Sequence, residues 1–251
     1  MVVVLSDDDL TRFARHIVLK EIGGAGQARL RRARVAMIGA GGIGSPALQY
    51  LAAAGIGRID LIDDDRVDLS NLQRQTLFGV GDVGAGKADA AAAALARMDP
   101  AVTIERHAVR IDTANARAML AGADVVLDGT DNFATRLAVA DAALGLRLPL
   151  VSAAVSQFEG QLGVYRGWET EKPCYRCFVG ADPDREGASC AEVGVLGAMV
   201  GVMGSLAALE VIRCIVPFGE DSAGKLLLAD GLSLRFRTIA LPKDPGCSCS
   251  G

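Results

Sequence analysis

The chain has 251 residues, 51% of them hydrophobic, with 30 acidic against 26 basic side chains and a net charge of −4. This length is enough for the core of one α/β domain with an extension, and the acidic balance gives no general reason to expect a nucleic-acid partner. No uninterrupted apolar run approaches the roughly 18 residues of a membrane helix. The longest apolar segment, residues 193–216, contains Glu210 and Arg213 and is predicted to be a buried helix.

The N-terminus is apolar but has no basic region, and it meets three aspartates at once, so it lacks the pattern of a secretory signal. We therefore expect a cytoplasmic protein. In that compartment, six cysteines indicate metal or thiol chemistry before disulfides.

Two short helices are predicted before the first strand. Ser6 and the aspartates after it are typical of a helix N-terminus, here for residues 10–19, and residues 27–33 form the second helix. The first helix has a basic face that includes Arg12 and Arg15. That face is either solvated or places one arginine on a phosphate, and spacing alone does not distinguish the two.

A nucleotide site is predicted where the first strand, residues 35–38, runs into a Gly-x-Gly-x-x-Gly turn that opens a helix. Gly39 permits a tight turn, Gly41 lets the backbone approach a phosphate, and Gly44 lets helix and strand pack closely. A second strand ends in Asp63, about twenty residues after the glycines, where a ribose-binding acid is expected. The alternative is a glycine turn that binds nothing.

The next stretch is a polar loop, residues 64–78, which follows the end of a parallel strand, where open α/β sheets bind ligands. Residues 81–88 nearly match a phosphate-binding loop, but no strand precedes them and Ala88 replaces the hydroxyl that would hold magnesium. Lys87 starts the helix that follows. It is either a solvated lysine or a cation that meets phosphates at the neighbouring glycine turn.

A later buried strand, residues 123–128, is followed by Thr130, Asp131 and Asn132. Asp131 is a candidate magnesium ligand, since the cation on ATP takes one or two carboxylates with phosphate oxygens and water. Asp131 could equally cap the next helix, and both roles can hold together. The other predicted elements are strands at 102–108, 148–154, 160–165, 226–230 and 234–239 and helices at 114–121 and 133–144.

Two cysteine pairs lie far apart in the chain. Cys174 and Cys177 form a Cys-x-x-Cys pair, and Cys247 and Cys249 stand near the C-terminus. Brought together, they make a four-thiolate zinc site of the structural kind. The alternative is a redox Cys-x-x-Cys, although such sites sit at a helix start in a different pattern.

Two further cysteines stand alone. Cys190 follows a charged, glycine-bearing loop, which favours an exposed and reactive thiol there. Cys214 lies inside an apolar helix and is interpreted as inert.

Together these motifs resemble one family: the ubiquitin-activating-enzyme-like adenylyltransferases, to which MoeB, ThiF and HesA belong. The resemblance covers nearly the whole chain, and its most specific part is Asn-Leu-Gln-Arg-Gln after an acid-ended strand. The segments that carry it are residues 12–15, 39–44, 70–75, 87, 130–132 and 174–177.

The resemblance implies a Rossmann-like, mostly parallel sheet with helices on both faces, a C-terminal antiparallel region and a zinc site. It implies one domain, 1–251, with N-terminal helices at 1–34, a nucleotide-binding core at 35–155 and a carrier-binding, zinc-bearing part at 156–251. The implied reaction is ATP- and Mg²⁺-dependent adenylylation of the terminal Gly-Gly carboxylate of a small ubiquitin-like sulfur carrier. That step would prepare thiocarboxylate formation in molybdopterin biosynthesis on a MoaD-like carrier.

A ThiS-like carrier of thiamine biosynthesis is the near alternative. A nicotinamide-dependent oxidoreductase would also fit the glycine turn and Asp63, but it leaves the 70–75 and 130–132 motifs unexplained. A zinc-held module without catalysis is opposed by the retained charged residues. We expect no rhodanese-like extension after residue 251, and sulfur is therefore expected from a separate donor protein.

The resemblance also implies residue roles, carried over position by position. Arg15 matches an arginine that reaches the active site of the neighbouring subunit, which implies a homodimer. Cys190 aligns with a cysteine that forms a covalent intermediate in some members and is dispensable in others. The implied catalytic residues are Arg15, Arg74, Lys87, Asp131 and Cys190. The implied nucleotide-binding residues are Gly39, Gly41, Gly42, Gly44, Asp63, Ser70, Asn71, Leu72, Gln73, Arg74, Lys87, Asp131 and Asn132.

The second cysteine pair departs from the family pattern. Its two cysteines are separated by one residue, Cys247-x-Cys249, where the family usually has two residues between them.

Overall fold

One mixed sheet forms the centre of the structure, a computed structural model that describes residues 5–180 and 194–250. Its strands are β1 Arg34–Ile38, β2 Arg58–Ile62, β3 Thr103–His107, β4 Val125–Asp128, β5 Leu150–Ser156, β6 Glu159–Tyr165, β7 Lys225–Asp230 and β8 Arg235–Ala240. Their order across the sheet is β3-β2-β1-β4-β5-β6-β7-β8. The first five pair in parallel, and β6, β7 and β8 continue the sheet in antiparallel fashion.

Helices cover both faces of the sheet. They are α1 Asp7–Arg12, α2 Ala14–Ile17, α3 Gly23–Arg32, α4 Gly44–Ala53, α5 Lys87–Met98, α6 Ala116–Leu120, α7 Phe133–Leu146, α8 Tyr175–Val179 and α9 Gly197–Ile215. The apolar sides of α3, α4, α5 and α9 fill the core on one face, and those of α6, α7 and α8 fill the core on the other. Central strands buried on both faces are what a parallel sheet requires, and β1 and β4 are such strands. The predicted fold class is confirmed.

The strand order places a crevice between β1 and β4. The chain leaves β1 toward β2 and β3 on one side, while β4 and β5 lie on the other. In the register, Ile38 pairs with both Ile62 and Asp128, so the segments after all three strands begin at the same edge of the sheet. This is the switch point at which open α/β sheets bind ligands.

The first predicted helix is wrong in its extent: residues 10–19 do not form one helix. The helix breaks at Phe13, which has φ −99° and ψ 15° and separates α1 from α2. Phe13 is 2% exposed, and the guanidinium carbon of Arg31 lies 4.7 Å from its ring centre. Burying this aromatic ring against α3 takes precedence over continuing the helix.

The predicted buried helix within residues 193–216 is α9. Among the described residues it is the one helix whose length and apolar composition would suit a membrane span. It lies against α4, β5 and β6, and the side that meets them includes the buried Met203, Ala207 and Val211. In this fold α9 is therefore a core helix.

Candidate nucleotide and metal sites

A cavity of about 510 Å³ opens at the carboxyl ends of β1, β2 and β4. The glycine turn, the acidic segment after β2, the loop that carries residues 70–75 and the segment after β4 form its walls. The predicted residues that line it together are Gly39, Gly41, Gly42, Asp63, Asn71, Arg74, Lys87, Asp131 and Asn132. Segments far apart in sequence therefore contribute to one site.

The glycine turn is fixed by backbone geometry. Gly39 has φ +86°, a conformation that L side chains rarely adopt. A Cβ at Gly44 would lie 2.1 Å from the carbonyl oxygen of Gly39, so the start of α4 can approach the turn this closely only without a side chain. The Asp63 carboxylate accepts from the N–H of Ala40 at 2.7 Å and from the N–H of Asp65 at 2.8 Å. The predicted ribose acid is thus attached directly to the turn.

Lys87 and Arg74 bring positive charge to the cavity. Lys87 is 6% exposed, and its Nζ lies 2.5 Å from a carboxylate oxygen of Asp65. Burial raises the pKa of Asp65, but the hydrogen bond from Lys87 and other contacts outweigh it and leave the pKa below its ordinary value. Arg74 is half-buried and donates to the carbonyl of Ser70 at 3.3 Å. Neither cation is solvated like an ordinary surface residue.

The alternative role of Asp131 as a helix cap is wrong. The N-cap of α7 is Asn132, whose side-chain oxygen accepts from the N–H of Thr135 at 2.9 Å. Asp131 is exposed and faces the cavity beside this cap. Its carboxylate therefore lies where a cation on bound phosphates could meet it.

Several predicted nucleotide-binding residues support the cavity and do not line it. Gly44 lies behind the turn, and Leu72 packs against the core. Ser70 donates through its backbone N–H and its hydroxyl to Asp68, which caps a short 3₁₀ turn. The side chain of Gln73 is exposed. Its backbone carbonyl packs against the start of α9, where a Cβ at Gly197 would lie 2.1 Å from the carbonyl oxygen. These contacts shape the loop that presents Asn71 and Arg74.

The other two predicted catalytic residues are Arg15 and Cys190. Arg15 is exposed on α2 and is absent from the cavity lining of its own chain. Cys190 falls within residues 181–193, outside the described residues.

Among the cavity residues that the sequence did not reveal are Asp65, Gln75 and Arg136. Gln75 is 3% exposed, and its Oε1 has no hydrogen-bond partner among the described residues. A buried acceptor without a partner costs about 1–3 kcal/mol, so a donor from a bound ligand or water would stabilise it. Two of them could have been identified from their positions beside predicted site residues. Gln75 is the last residue of the 70–75 motif, and Asp65 follows Asp63 by two residues.

Arg136 joins two walls of the cavity. It donates through Nε to the carbonyl of Thr130 at 2.8 Å and through Nη2 to the carbonyl of Ala153 at 3.1 Å. Burial opposes its charge, but Asp128 and Tyr175 outweigh that effect and raise the pKa of Arg136 above its ordinary value. A permanently charged side chain therefore holds the segment before Asp131 against β5.

The four predicted zinc ligands come together, as the sequence predicts. The Sγ atoms of Cys174 and Cys177 are 3.8 Å apart, and those pairing Cys174 with Cys247 and Cys177 with Cys249 are 3.5 Å apart. All four thiols are free and their sulfurs lie within 4.8 Å of one another. A tetrahedral zinc ion with Zn–S bonds of about 2.3 Å separates its sulfurs by about 3.8 Å, so the donor set fits zinc. The one-residue spacing of the second pair is compatible with this arrangement.

Cys214 differs from these four. It lies on α9 outside the cluster, and burial raises the pKa of its thiol to about 12. Because the thiolate is the reactive form, burial disfavours reaction at this cysteine.

Comparison with known proteins identifies the family. The profile of the ThiF family matches residues 13–249. The chain belongs to the ThiF family. It is 43% identical over 248 residues to the sulfur carrier protein adenylyltransferase of Thermus thermophilus, covering 97% of this chain and 92% of that protein. It is 46% identical to the adenylyltransferase and sulfurtransferase MOCS3 of Anopheles gambiae, covering 98% of this chain but 56% of that protein.

Solved structures agree with the ThiF assignment. The crystal structure of E. coli MccB with MccA-N7isoASN superposes with a TM-score of 0.84 at 26% identity, covering 96% of this chain and 75% of that chain. The relatives from Thermus thermophilus and Anopheles gambiae are both named adenylyltransferases, and the chain is an enzyme of that class. The family assignment confirms the resemblance read from the motifs.

Proposed function

We propose that this enzyme uses ATP to adenylylate the C-terminal carboxylate of a small ubiquitin-like sulfur carrier and releases pyrophosphate. The observation that carries the proposal is the cavity in which Asp63, Arg74, Lys87 and Asp131 surround the glycine turn at the switch point. The name of the Thermus thermophilus relative, a sulfur carrier protein adenylyltransferase, supports the class of substrate.

The reaction is a substitution at phosphorus. A carboxylate oxygen of the carrier forms a bond to the α-phosphorus of ATP, and the bond from that phosphorus to the bridging oxygen of the β-phosphate breaks. The bonding electrons leave with pyrophosphate, so no oxidant or reductant takes part. Two anions must meet, and the chief demands on the enzyme are therefore positioning and neutralisation of charge.

The residues of the cavity meet these demands in distinct ways. Asp63, held by the N–H of Ala40, accepts hydrogen bonds from the ribose hydroxyls beside the glycine turn. Arg74 and Lys87 donate to the phosphates, with Lys87 exchanging its contact with Asp65 for one with a phosphate oxygen. Asn71, on the same loop as Arg74, adds a polar contact.

Asp131 would hold a magnesium ion on the triphosphate. The fit rests on its exposed carboxylate at the wall of the same cavity that the acidic segment after β2 lines. Magnesium is bound in such sites by one or two carboxylates with phosphate oxygens and water. When bound, the ion would neutralise charge on the phosphates.

The four-cysteine cluster would hold zinc in a closed, structural site. It ties α8 to the end of the chain through pairs that are about seventy residues apart in sequence. This part of the protein lies beside the antiparallel strands, to which we assign carrier binding.

The active unit is proposed to be a homodimer in which Arg15 of each subunit acts at the partner's site. The support is that Arg15 is exposed and does not line the cavity of its own chain as described. A separate protein would donate the sulfur.

For the pathway, a MoaD-like carrier of molybdopterin biosynthesis is proposed, with a ThiS-like carrier of thiamine biosynthesis as the alternative. The cytoplasmic location remains a prediction.

The proposal is tested by carrier-dependent exchange of labelled pyrophosphate into ATP. Exchange should require a carrier ending in Gly-Gly, and it should disappear with a carrier that lacks its last two residues. In Asp131→Asn exchange should fall strongly and recover in part at high magnesium. Exchange that is independent of the carrier would contradict the proposed substrate.

A further inference from the structure

The four-cysteine cluster lies at the start of α8, and α8 packs on α7. Cys174 is the N-cap of α8, and Cys177 lies within the helix. Between them, the side chain of Arg176 donates through Nε and Nη2 to the two carboxylate oxygens of Asp141 on α7, both at 2.7 Å. The helix that carries half of the cluster is therefore fixed to the helix that begins beside Asp131.

A second contact joins the same two helices in the interior. Tyr175 also stands between the two cysteines, is 4% exposed, and packs edge-on against Tyr165 with 5.3 Å between the ring centres. Its phenol meets the guanidinium of Arg136 on α7 and accepts a hydrogen bond from it. Arg136 is 9% exposed. A hydrogen bond to a charged group is strong where water is excluded, so the contact holds both side chains in place.

Arg136 extends this contact to the segment that carries Asp131. Its Nε donates to the carbonyl of Thr130 at 2.8 Å. On the other side, the carboxylate of Asp128 accepts from the N–H of Thr130 at 3.0 Å and from its hydroxyl at 2.7 Å. The residue before Asp131 is therefore held from two sides, by the end of β4 and by Arg136.

We infer that Tyr175 and Arg136 are positioning residues that connect the four-cysteine cluster to Asp131. The cluster fixes α8, Tyr175 fixes the guanidinium of Arg136, and Arg136 holds the backbone from which the Asp131 carboxylate enters the nucleotide cavity. The inference rests on the proposed function, which assigns the magnesium ion on ATP to Asp131. Magnesium demands near-ideal octahedral geometry, so a small displacement of its carboxylate weakens binding.

Two substitutions separate the positioning of Asp131 from the docking of α8. In Tyr175→Phe the ring and its packing against Tyr165 and Phe178 remain, and the hydrogen bond to Arg136 is lost. Asp141→Asn weakens the other link between α8 and α7 and leaves the contact of Tyr175 with Arg136 intact. Asp141→Asn is therefore the matched control.

The test measures ATP binding to the full chain by titration calorimetry at a series of Mg²⁺ concentrations, without a carrier. The variants are Tyr175→Phe, Arg136→Lys and Asp141→Asn, each assayed also for bound zinc and melting temperature. Wild type and Tyr175→Phe are measured again without zinc, after a zinc-selective chelator has been removed by gel filtration. A parallel assay records kcat and KM for AMP transfer to a carrier ending in Gly-Gly.

Tyr175→Phe should retain zinc and need about three- to tenfold more Mg²⁺ for half-maximal ATP binding, with kcat at saturating Mg²⁺ close to wild type. This is below the 10- to 100-fold loss typical when a group that orients a metal ligand directly is removed, which is the loss expected in Arg136→Lys. Asp141→Asn should match wild type. Zinc removal should raise the Mg²⁺ requirement of wild type and change that of Tyr175→Phe little further, because the connection is already broken.

Three results would overturn the inference: an unchanged Mg²⁺ requirement in Tyr175→Phe, an equal rise in Asp141→Asn, or effects of zinc removal and Tyr175→Phe that simply multiply. Because ATP binding is measured without a carrier, failure of the proposed function is seen separately. Expected shifts in the Mg²⁺ requirement without AMP transfer by wild type would contradict the proposed substrate and leave the connection to Asp131 standing.

Discussion

At the scale of single residues, Arg74 and Lys87 are the cations beside the glycine turn. Replacing Arg74 by Ala should lower kcat/KM for adenylylation about 10²- to 10³-fold, the loss seen when one preorganised donor to a developing charge is removed. The measurement is AMP transfer to the carrier under single-turnover conditions.

Arg97→Ala provides the control for a generic loss of charge, because Arg97 lies exposed on α5 and away from the cavity. Turnover of Arg74→Ala equal to that of the control would remove Arg74 from the site.

Asp9 contributes to stability in a pH-dependent way. It lies 2.6 Å from the guanidinium of Arg31, which also contacts the buried Asp99. Burial raises the pKa of Asp9, but the hydrogen bonds from Arg31 and Ser6 outweigh it and lower the pKa from 3.8. Because the pKa of Asp9 is lower in the native state than in the unfolded state, its ionised form stabilises the fold at pH values above the unfolded-state pKa. This stabilisation is lost as the pH falls through the native-state pKa.

Asp9→Asn should therefore lower the free energy of unfolding by about 1–2 kcal/mol at neutral pH. The difference from wild type should shrink as the pH falls below about 4. Urea unfolding at several pH values measures it, with the exposed Asp8→Asn as control. A difference that stays constant down to pH 2 would mean that ionisation of Asp9 is not its source.

At the scale of elements, the cysteine cluster fixes α8 and the end of the chain to each other. In Cys249→Ser we expect loss of bound zinc and a lower melting temperature, since a structural zinc site contributes its binding energy to folding. Chelator treatment of wild type should lower the melting temperature in the same direction. Zinc is measured by a colorimetric dye after thiol modification.

Cys214→Ala is the matched control because Cys214 lies outside the cluster. It should retain zinc. Equal zinc in Cys249→Ser and wild type would exclude the four-thiolate site.

Most elements could be predicted because their signals are local. The β-branched run of β1 is such a signal, and the observed bounds differ from the predicted ones by a few residues. The cap of α7 was predicted one residue too early, at Asp131, whereas the structure has Asn132 there. The break at Phe13 could not be predicted, since it depends on the contact of Phe13 with Arg31 on another helix. Local propensity carries no information about such a partner.

At the scale of the whole molecule, the site draws on segments that only the fold brings together. The glycine turn, Asp63 and Asp131 could be predicted because each follows the end of a strand. Arg136 could not, because its role depends on the carbonyl of Ala153, which β5 places next to β4.

The proposed homodimer predicts complementation between inactive variants. Arg15→Ala and Arg74→Ala should each be nearly inactive alone. After exchange of subunits at equal concentration, half of the dimers are mixed and each has one intact site, so activity should return to about a quarter of wild type. Activity is measured as AMP transfer before and after exchange.

Mixing without exchange at low temperature is the control. No recovery despite demonstrated exchange would place Arg15 outside the partner's site.

The measurement that tests the central proposal most directly is the intact mass of purified MoaD-like and ThiS-like carriers after incubation with the enzyme, ATP and magnesium. We predict a mass gain equal to AMP less water on one carrier, lost when its terminal Gly-Gly is removed. That result would establish the reaction and choose the pathway together. No gain on either carrier, with the enzyme folded and loaded with zinc, would contradict adenylylation of a sulfur carrier of these classes.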